Sequence, residues 1–299
     1  MTTPSPSTTR ANARVALVTC AEYPALEPDD QLVIPALAAL GIEAVAAVWD
    51  DPAVDWPSFD ATVLRSPWDY ATRRDEFVRW ARRVPRLANS VDVVEWNTDK
   101  RYLGELAASG VPVTPTTFIA PSEMWLPPTA DGEYVIKPSI SAGSKDTGRY
   151  GPGHRDEAIA HVSRLQRDRR VVMVQPYLSA VDTYGETALL YFADPASGRL
   201  IFSHAIRKGP MLEGPDVGVE GLYKPETISA RVPSQEELAV AEAVLMTLPG
   251  GLLYARIDLI PDPDGNPVLL EVELTEPSLF LEHSDGAPAR FAAAIAGLL

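Results

Sequence analysis

The sequence predicts a mixed α/β protein in which a parallel α/β unit precedes an antiparallel, α+β-like part. Strand-like and helix-like segments alternate between residues 14 and 98, which is typical of a parallel sheet with crossover helices. Beyond residue 179, runs such as GETALLYF and GRLIFSHAIRK follow each other directly, as antiparallel strands do. We therefore expect a disordered tail at 1–13, a first domain at 14–98, a central segment at 99–178 and a C-terminal segment at 179–299.

The first domain begins with RVALVTC at residues 14–20, an apolar run that predicts a buried strand. Helical spacing follows from residue 29, with Gly41 as its terminator. EAVAAVW and FDATVLRS predict two more strands, and RRDEFVRWARRV predicts an amphipathic helix. Ligands collect at the carboxyl ends of parallel strands. The polar cluster that ends the third strand is therefore a candidate binding region: Arg65, Ser66, Trp68, Asp69 and Tyr70.

The two later segments contain further helices and strands. DKRYLGELAASG predicts a helix, EYVIKP a short strand, and SISAGSKDTGRYG a loop rich in Gly and Ser. RDEAIAHVSRLQRDR predicts a helix, and VVMVQPYL an apolar strand that stops at a proline. SQEELAVAEAVLMTL and APARFAAAIAGLL predict helices of the C-terminal segment.

Composition narrows the range of partners. The formal net charge of −15 opposes nonspecific binding to nucleic acid or to anionic membranes, since both require basic surface. No apolar run is long enough to span a bilayer. The single cysteine, Cys20, excludes an internal disulfide and fits a reducing cytoplasm. We expect a cytoplasmic protein without nucleic-acid or membrane partners, for which an oligomer is compatible with the sequence.

Three carboxylates lie on two strands near the end of the chain. Glu271 and Glu273 share one strand face, and the turn-rich PDPDGNP would fold the preceding strand back so that Asp258 lies beside them. Acids that close repel one another unless a cation lies between them. Hard oxygen ligands suit Mg²⁺, and Mg²⁺ bound by few protein ligands usually also holds nucleotide phosphates. A solvated acidic strand face is the equal alternative on this evidence alone.

The order of these elements resembles the ATP-grasp superfamily across roughly residues 95 to 299. The preceding domain resembles that of its glutathione-synthetase-like and ribosomal-protein-S6-modifying-like branch. The resemblance implies an ATP-grasp fold with an N-terminal parallel α/β domain on the substrate side, a central lid subdomain and a C-terminal antiparallel-sheet subdomain with the metal and catalytic residues. It also implies a ligase that uses ATP and two Mg²⁺ ions to activate a carboxylate as an acyl phosphate.

The resemblance also assigns nucleotide-binding positions. Lys100 and Lys137 match two phosphate-binding lysines, although Lys100 is compatible with an ordinary helix surface. The loop after Lys137 matches a mobile lid, for which a plain surface linker is the alternative. VVMVQPYL matches the adenine hinge. Further implied contacts of the nucleotide are Ser139, Ser141, Gly143, Ser144, Gln175, Pro176, Tyr177, Leu178 and Glu186.

For catalysis, the resemblance implies that Arg207 faces the transferring phosphate and that Lys208 shares the task. Asp258, Glu271 and Glu273 match the metal ligands, but many relatives have Asn at the position of Glu273. Thr275, Glu276 and Ser278 are candidates for reading an amine or a small polar substrate. Arg65 is expected to pair with a substrate carboxylate, Asp69 or Glu276 with an α-ammonium group, and Trp68 and Tyr70 to wall the pocket. An ordered loop with a structural Arg–Asp pair is the alternative for RSPWDY.

Within this branch, LRSPWDY and EVELTEPSLFLEHS resemble the cyclo-ligases that close O-ureido-D-serine to D-cycloserine in antibiotic biosynthesis. That resemblance implies one small, polar, amino-acid-like substrate whose own nitrogen attacks its activated carboxyl group. Three alternatives stay open. The first is a dipeptide or amino-acid–amine ligase of the same superfamily, the second a kinase without a ligation step, and the third a nucleotide-binding protein without catalysis.

Overall fold

The computed structural model describes residues 13–128, 132–218, 221–223 and 226–299. Apart from Ala13, the tail predicted at residues 1–13 lies outside the described residues. Within these ranges, no helix has the length and apolar character that a bilayer crossing requires.

The first domain contains a parallel sheet, as predicted, and its strand order is β2-β1-β3. Its strands are β1 (Arg14–Thr19), β2 (Glu43–Val48) and β3 (Ala61–Ser66), and its helices are α1 (Pro28–Gln31), α2 (Val33–Ala39) and α3 (Arg74–Ala81). Short 3₁₀ helices at Trp56–Ser58 and Trp68–Thr72 flank β3. The parallel arrangement brings the carboxyl ends of β1 and β3 to one edge, where the polar residues after β3 lie.

The helical segment after β1 differs from the single helix that its spacing predicts. It is divided at Leu32 into α1 and α2. Pro35 has no N–H to donate to the carbonyl of Gln31, four residues earlier, so a continuous helix would lose a hydrogen bond there. Gly41 follows α2 with a φ of +75°, in agreement with its predicted role as terminator.

The central segment contains an antiparallel sheet in the order β4-β7-β5-β6. Helix α6 covers one face of this sheet with buried Ala158, Val162 and Leu165. A 3₁₀ helix, Pro152–His154, precedes α6. Helix α4 (Val91–Asn97) ends just before this segment, whose own strands and helices are α5 (Tyr102–Ala108), β4 (Thr117–Ile119), β5 (Tyr134–Pro138), β6 (Gly148–Tyr150), α6 (Arg155–Arg167) and β7 (Val172–Pro176).

The C-terminal segment contains a larger antiparallel sheet in the order β10-β9-β8-β11-β12, which confirms the predicted α+β part. A 3₁₀ helix, Leu281–His283, follows it. Its elements are α7 (Val181–Tyr184), β8 (Glu186–Ala193), β9 (Leu200–Lys208), β10 (Ile228–Arg231), α8 (Gln235–Leu245), β11 (Tyr254–Pro261), β12 (Pro267–Glu273) and α9 (Ala287–Ala296).

One apolar core joins the first domain to the C-terminal sheet. Val15 and Leu17 of β1 belong to the same buried cluster as Phe192 of β8 and Phe291 and Ile295 of α9. Helix α9 therefore lies between α2 of the first domain and strands β8 and β9 of the C-terminal sheet. This packing holds the carboxyl end of β3 against the segment that follows β12, where the candidate site lies.

Candidate active site

A cavity of about 520 Å³ opens where the three sheets approach one another. Its wall combines charged residues of the central and C-terminal sheets with Trp68 from the first domain. Charged side chains in this wall include Lys100, Lys137, Glu186, Lys208, Arg256, Asp258, Glu271, Glu273 and Glu276.

The three predicted acids lie on the adjacent strands β11 and β12. Asp258 pairs across the ladder with Glu271, and Arg256 pairs with Glu273. The turn at PDPDGNP therefore folds as the sequence predicts. Because strand side chains alternate, all four side chains project to the same face of the sheet and reach the cavity.

Cationic side chains of the protein lie between these acids. The Lys208 Nζ is 2.7 Å from Asp258 and 3.0 Å from Glu186. Arg256 is 2.9 Å from Asp258 and also contacts Glu273. The Lys100 Nζ is 2.9 Å from Glu271. The repulsion that the sequence predicts among the acids is thus offset first by the protein's own cations.

These pairs set the pKa values of the acids. Burial raises the pKa of Asp258, but Arg256 and Lys208 more than offset that effect and hold it at about 2. The carboxylate of Asp258 is therefore ionised throughout the physiological pH range. For Glu273, burial raises the pKa, the charges of Glu271 and Asp258 raise it further, and Arg256 opposes this rise.

The fit to Mg²⁺ is partial. Among the described residues, no three acidic, His or Cys side chains form a group that could hold a metal ion as they stand. The cations of Lys208 and Arg256 divide the acids, which corrects the expectation of a ready metal centre. The donor set is nevertheless one of hard carboxylate oxygens around a cavity, which is the chemistry that Mg²⁺ prefers. Asp258, Glu271 and Glu273 thus fit the ion by their chemistry.

The two predicted phosphate lysines lie in the cavity wall in different states. Lys100 is 7 % exposed, so it is not an ordinary surface lysine, and its Nζ also donates to the Ser141 carbonyl at 2.8 Å. Burial lowers the pKa of Lys137. Within the described ranges, Lys137 forms neither an ion pair nor a hydrogen bond. A half-buried ammonium without a partner is costly, and an anionic ligand would offset that cost.

The loop after β5 lies beside the cavity. Ser141, Gly143 and Ser144 line the cavity, whereas Ser139 does not. The N–H of Ser139 donates to the Val171 carbonyl, and the Ser139 carbonyl accepts from the Lys100 N–H. Ser139 therefore lies outside the cavity and supports its wall through backbone hydrogen bonds. Gly143 has a φ of +61°, and a Cβ there would lie 2.1 Å from the Leu222 carbonyl oxygen. The loop is therefore packed against the connection between β9 and β10.

The predicted adenine hinge also lines the cavity. Gln175, Pro176, Tyr177 and Leu178 reach it at the end of β7, and Val135, Ile260 and Leu270 also line it. Apolar side chains in a cavity wall suit a flat ring as a ligand. The N–H of Tyr177 is already used, since it donates to the Glu133 carbonyl at 2.8 Å.

The structure separates Arg207 from Lys208. Consecutive strand residues point to opposite faces, and only Lys208 reaches the cavity. The Arg207 guanidinium instead donates to the carbonyls of Thr183 and Tyr184. The expectation that Arg207 faces a phosphate is therefore corrected. The cavity's guanidinium is Arg256, which was absent from the predicted site although its two-residue spacing from Asp258 was a usable signal.

Arg65 is not available to a substrate. Its side chain is fully buried, and its guanidinium donates to Asp30 at 2.8 and 2.9 Å and to the Pro277 carbonyl at 2.7 Å. The expected pairing of Arg65 with a substrate carboxylate is therefore corrected to a structural Arg–Asp pair. The partner of Arg65 is Asp30 on α1 rather than Asp69, which is closer in the sequence. The sequence does not predict this pair, because it depends on the tertiary contact between α1 and β3.

The other candidates near the carboxyl end of β3 fall into two groups. Trp68, Glu276 and Ser278 line the cavity. Asp69 accepts from the Trp49 Nε1 at 2.8 Å and pairs with Arg73, so it is not placed to bind an ammonium group. Behind the wall lie the buried residues Ser66, Tyr70 and Thr275.

The connection between β9 and β10 supplies cavity residues that sequence reasoning missed. Tyr223 contacts Trp68 edge-on, with ring centroids 5.4 Å apart, and Met211 and Glu226 also line the cavity. This connection has no strand or helix periodicity. Only the folded structure brings it beside the first domain and the loop after β5.

Comparison with known proteins agrees with this fold and site. The family description of the N-terminal domain of D-cycloserine synthetase DcsG matches residues 15–89. The cycloserine biosynthesis protein DcsG of Streptomyces lavendulae is 39 % identical over 301 residues, covering 94 % of this chain and 97 % of that protein. The crystal structure of D-cycloserine synthetase DcsG matches with a TM-score of 0.82 and 37 % identity, over 95 % of this chain and 99 % of that one.

More distant structures share the fold alone. A RimK-domain ATP-grasp protein from Sphaerobacter thermophilus matches with a TM-score of 0.63 and 19 % identity, over 96 % of this chain and 99 % of that one. D-alanyl-alanine synthetase A from Vibrio cholerae matches with a TM-score of 0.66 and 13 % identity, over 97 % and 98 %. Fold and site together are those of an ATP-grasp ligase. Within that class the chain belongs to the D-cycloserine synthetase family.

Proposed function

We propose that this enzyme uses ATP to close O-ureido-D-serine into the ring of D-cycloserine. The observation that supports this most is the 39 % identity to the cycloserine biosynthesis protein over 94 % of the chain, together with a cavity in which lysines and an arginine interleave with three acids.

In the proposed reaction the substrate carboxylate takes the γ-phosphoryl group of ATP and releases ADP. The oxygen-bound ureido nitrogen then attacks the acyl phosphate, expels phosphate and closes a five-membered ring. The carbamoyl group finally leaves with water as carbon dioxide and ammonia.

We propose that the cavity cations bind the phosphates. Lys137 is the first candidate, because its ammonium has no partner among the described residues. Lys100 and Lys208 would exchange part of their pairing with Glu271 and Asp258 for phosphate oxygens. A guanidinium such as that of Arg256 stabilises the charge that develops during phosphoryl transfer.

The acids of β11 and β12 would hold Mg²⁺ in the same proposal. Asp258, Glu271 and Glu273 supply hard oxygen ligands, and a related ATP-grasp ligase, PsnB, has been solved with Mg and ADP. When bound, Mg²⁺ neutralises phosphate charge. If Lys100, Lys208 and Arg256 turned toward the phosphates, the carboxylates with which they pair would be free to hold the ion. Two ions remain our prediction from the sequence.

The loop after β5 would exclude water from the site. Its Gly143 lies against Leu222, and the N–H of Arg149 in the following strand β6 donates to the Gly214 carbonyl at 2.8 Å, so this part of the chain is packed against the β9–β10 connection beside the cavity. Acyl phosphates hydrolyse in water, and a covered site protects them.

The experiment is an ADP-release assay of the purified enzyme with ATP and O-ureido-D-serine, with Mg²⁺ and with excess chelator. We expect release that requires the substrate and stops on chelation. An added amine should not increase the rate. A requirement for an added amine would contradict ring closure and favour a two-substrate ligase. A stable phosphorylated product without ring closure would indicate a kinase.

A further inference from the structure

The carboxylate of Glu276 differs from the other acids in the cavity. Asp258, Glu186 and Glu271 each lie within ion-pair distance of a lysine, and Glu273 contacts Arg256. Glu276 forms no ion pair with any residue that the structure describes. Its side-chain partner is the hydroxyl of Tyr70, a neutral donor. A carboxylate in a protein cavity without a counter-charge is unfavourable unless a ligand supplies one.

The remaining acids of the wall have other surroundings. Glu226 and Glu282 are exposed to solvent, which screens their charge. Glu27 accepts from the Asp29 N–H, and Asp29 accepts from the N–H groups of Leu281 and Glu282. Among the described acids of the wall, Glu276 is therefore the one that is recessed, has no ion-pair partner and accepts no backbone hydrogen bond.

The backbone around Glu276 is held in place by side chains from other elements. The Trp68 Nε1 donates to the Glu276 carbonyl at 3.0 Å, and Arg65 donates to the Pro277 carbonyl at 2.7 Å. The Tyr254 hydroxyl lies 2.9 Å from the Thr275 carbonyl, and Arg256 donates to the Ser278 carbonyl at 3.2 Å. Four consecutive carbonyls thus have donors, which fixes the direction of the Glu276 side chain.

We propose that Glu276, oriented by Tyr70, binds the α-ammonium group of the substrate and so selects an amino acid over its des-amino analogue. An ammonium group is a compact cation that pairs well with a carboxylate, and the Tyr70 hydroxyl is a neutral donor that leaves the charge of that carboxylate uncompensated. The Glu276 carboxylate would repel a phosphate group, and the neutral ureido group of the substrate would gain less from it than an ammonium group does. The identity of the reaction rests on the proposed function, but the preference for an ammonium group rests on the geometry of Glu276.

Two observations agree with this assignment. Burial raises the pKa of Glu276 to about 7, while the Tyr70 hydrogen bond and the charges of Lys100 and Arg256 oppose the rise. A bound cation would favour the ionised form. Secondly, one carbon separates an α-nitrogen from its carboxyl carbon. An ammonium held at Glu276, three residues beyond Glu273, therefore keeps the reacting carboxylate near Lys100 and Arg256.

The test compares O-ureido-D-serine with 3-(ureidooxy)propanoic acid, which lacks only the α-amino group. Calorimetric binding in the presence of a nonhydrolysable ATP analogue is measured alongside ADP release for the wild type, Glu276→Gln, Tyr70→Phe and the control Glu282→Gln. We expect Glu276→Gln to weaken binding of the amino compound by about tenfold or more, because a buried charged partner is lost. Binding of the des-amino compound and of the ATP analogue should stay within about twofold. Glu282→Gln, an exposed acid of the same wall, should change neither.

The outcomes separate the two proposals. If the wild type binds the amino compound selectively but releases no ADP, the proposed reaction fails and the ammonium site stands. If Glu276→Gln weakens both compounds equally, or neither, the ammonium site is overturned even when turnover is normal. If the wild type binds neither compound, both proposals are wrong. Thermal unfolding of each variant shows whether it is folded, and Tyr70→Phe, which keeps the ring, provides a second variant with a smaller selective loss.

Discussion

Lys137 and Lys208 line the same cavity but differ in their ion pairing and in the direction of their pKa shifts. Lys208 is paired with Asp258 and Glu186, which together raise its pKa against the effect of burial. The pKa of Lys137 is lowered by burial, and no described acid pairs with it. The free enzyme thus carries a lysine without an ion pair at the position proposed for phosphate, and the burial of its charge costs stability until the nucleotide binds.

This contrast gives a prediction for Lys137→Met, which keeps the length of the side chain and removes its charge. ATP should bind about 10- to 100-fold more weakly, because a hydrogen bond to a charged group contributes about 1.5–3 kcal/mol. The unfolding temperature of the free protein should stay the same or rise, since the buried charge is gone. Calorimetry with ATP and differential scanning calorimetry measure the two effects, with Lys145→Met in the same loop as the control. Unchanged ATP affinity would contradict the role of Lys137.

At the scale of elements, strand alternation explains both the successes and the errors of sequence-based reasoning. It correctly predicted that Asp258, Glu271 and Glu273 share a face. Applied to β9, the same rule separates Arg207 from Lys208, whereas the family resemblance implies that Arg207 faces the phosphate. Arg65 could not have been assigned in this way, because its partner Asp30 lies on a different element and their contact depends on tertiary packing.

The loop after β5 is packed so closely against Leu222 that one added methyl group at Gly143 should disturb it. Gly143→Ala should destabilise the protein by at least about 1 kcal/mol, because Ala disfavours a positive φ, and its Cβ would collide with the Leu222 carbonyl. Displacement of the loop should also increase substrate-independent ATP hydrolysis, since water would reach the site. The matched control is Gly153→Ala, where a Cβ has open space and φ is not positive. Equal behaviour of the two variants in urea unfolding and in hydrolysis would contradict the packed loop.

At the scale of the whole molecule, the shared core places the first domain against the segment after β12. The sequence predicted the parallel and antiparallel parts separately, and their strand patterns were sufficient for that. The packing of one part against the other depends on α9, which shares a core with β1, on Arg65, which donates to the Pro277 carbonyl, and on Asn89, which donates to the carbonyls of Tyr254 and Leu274. These contacts join residues that are more than 150 positions apart in the sequence. Local patterns carry no information on such contacts, which is why the cavity wall was predicted less well than the sheets.

Arg65→Met tests this packing. Loss of the guanidinium leaves Asp30 buried without its partner, and breaking such a pair costs about 3–5 kcal/mol. We expect a large fall in the free energy of unfolding. The double variant Arg65→Met, Asp30→Leu should recover part of it. Urea denaturation measures both. A stable Arg65→Met variant with a raised KM for the amino-acid substrate would instead restore the substrate role that the sequence first indicated.

We propose that the enzyme closes one small amino acid into a ring and uses ATP to do so. The most direct test is to incubate the enzyme with Mg²⁺-ATP and O-ureido-D-serine alone, and to quantify ADP and D-cycloserine together by mass spectrometry. We predict one D-cycloserine for each ADP, with no added amine. ADP formed without D-cycloserine, or the absence of both products from folded enzyme that binds ATP, would contradict it.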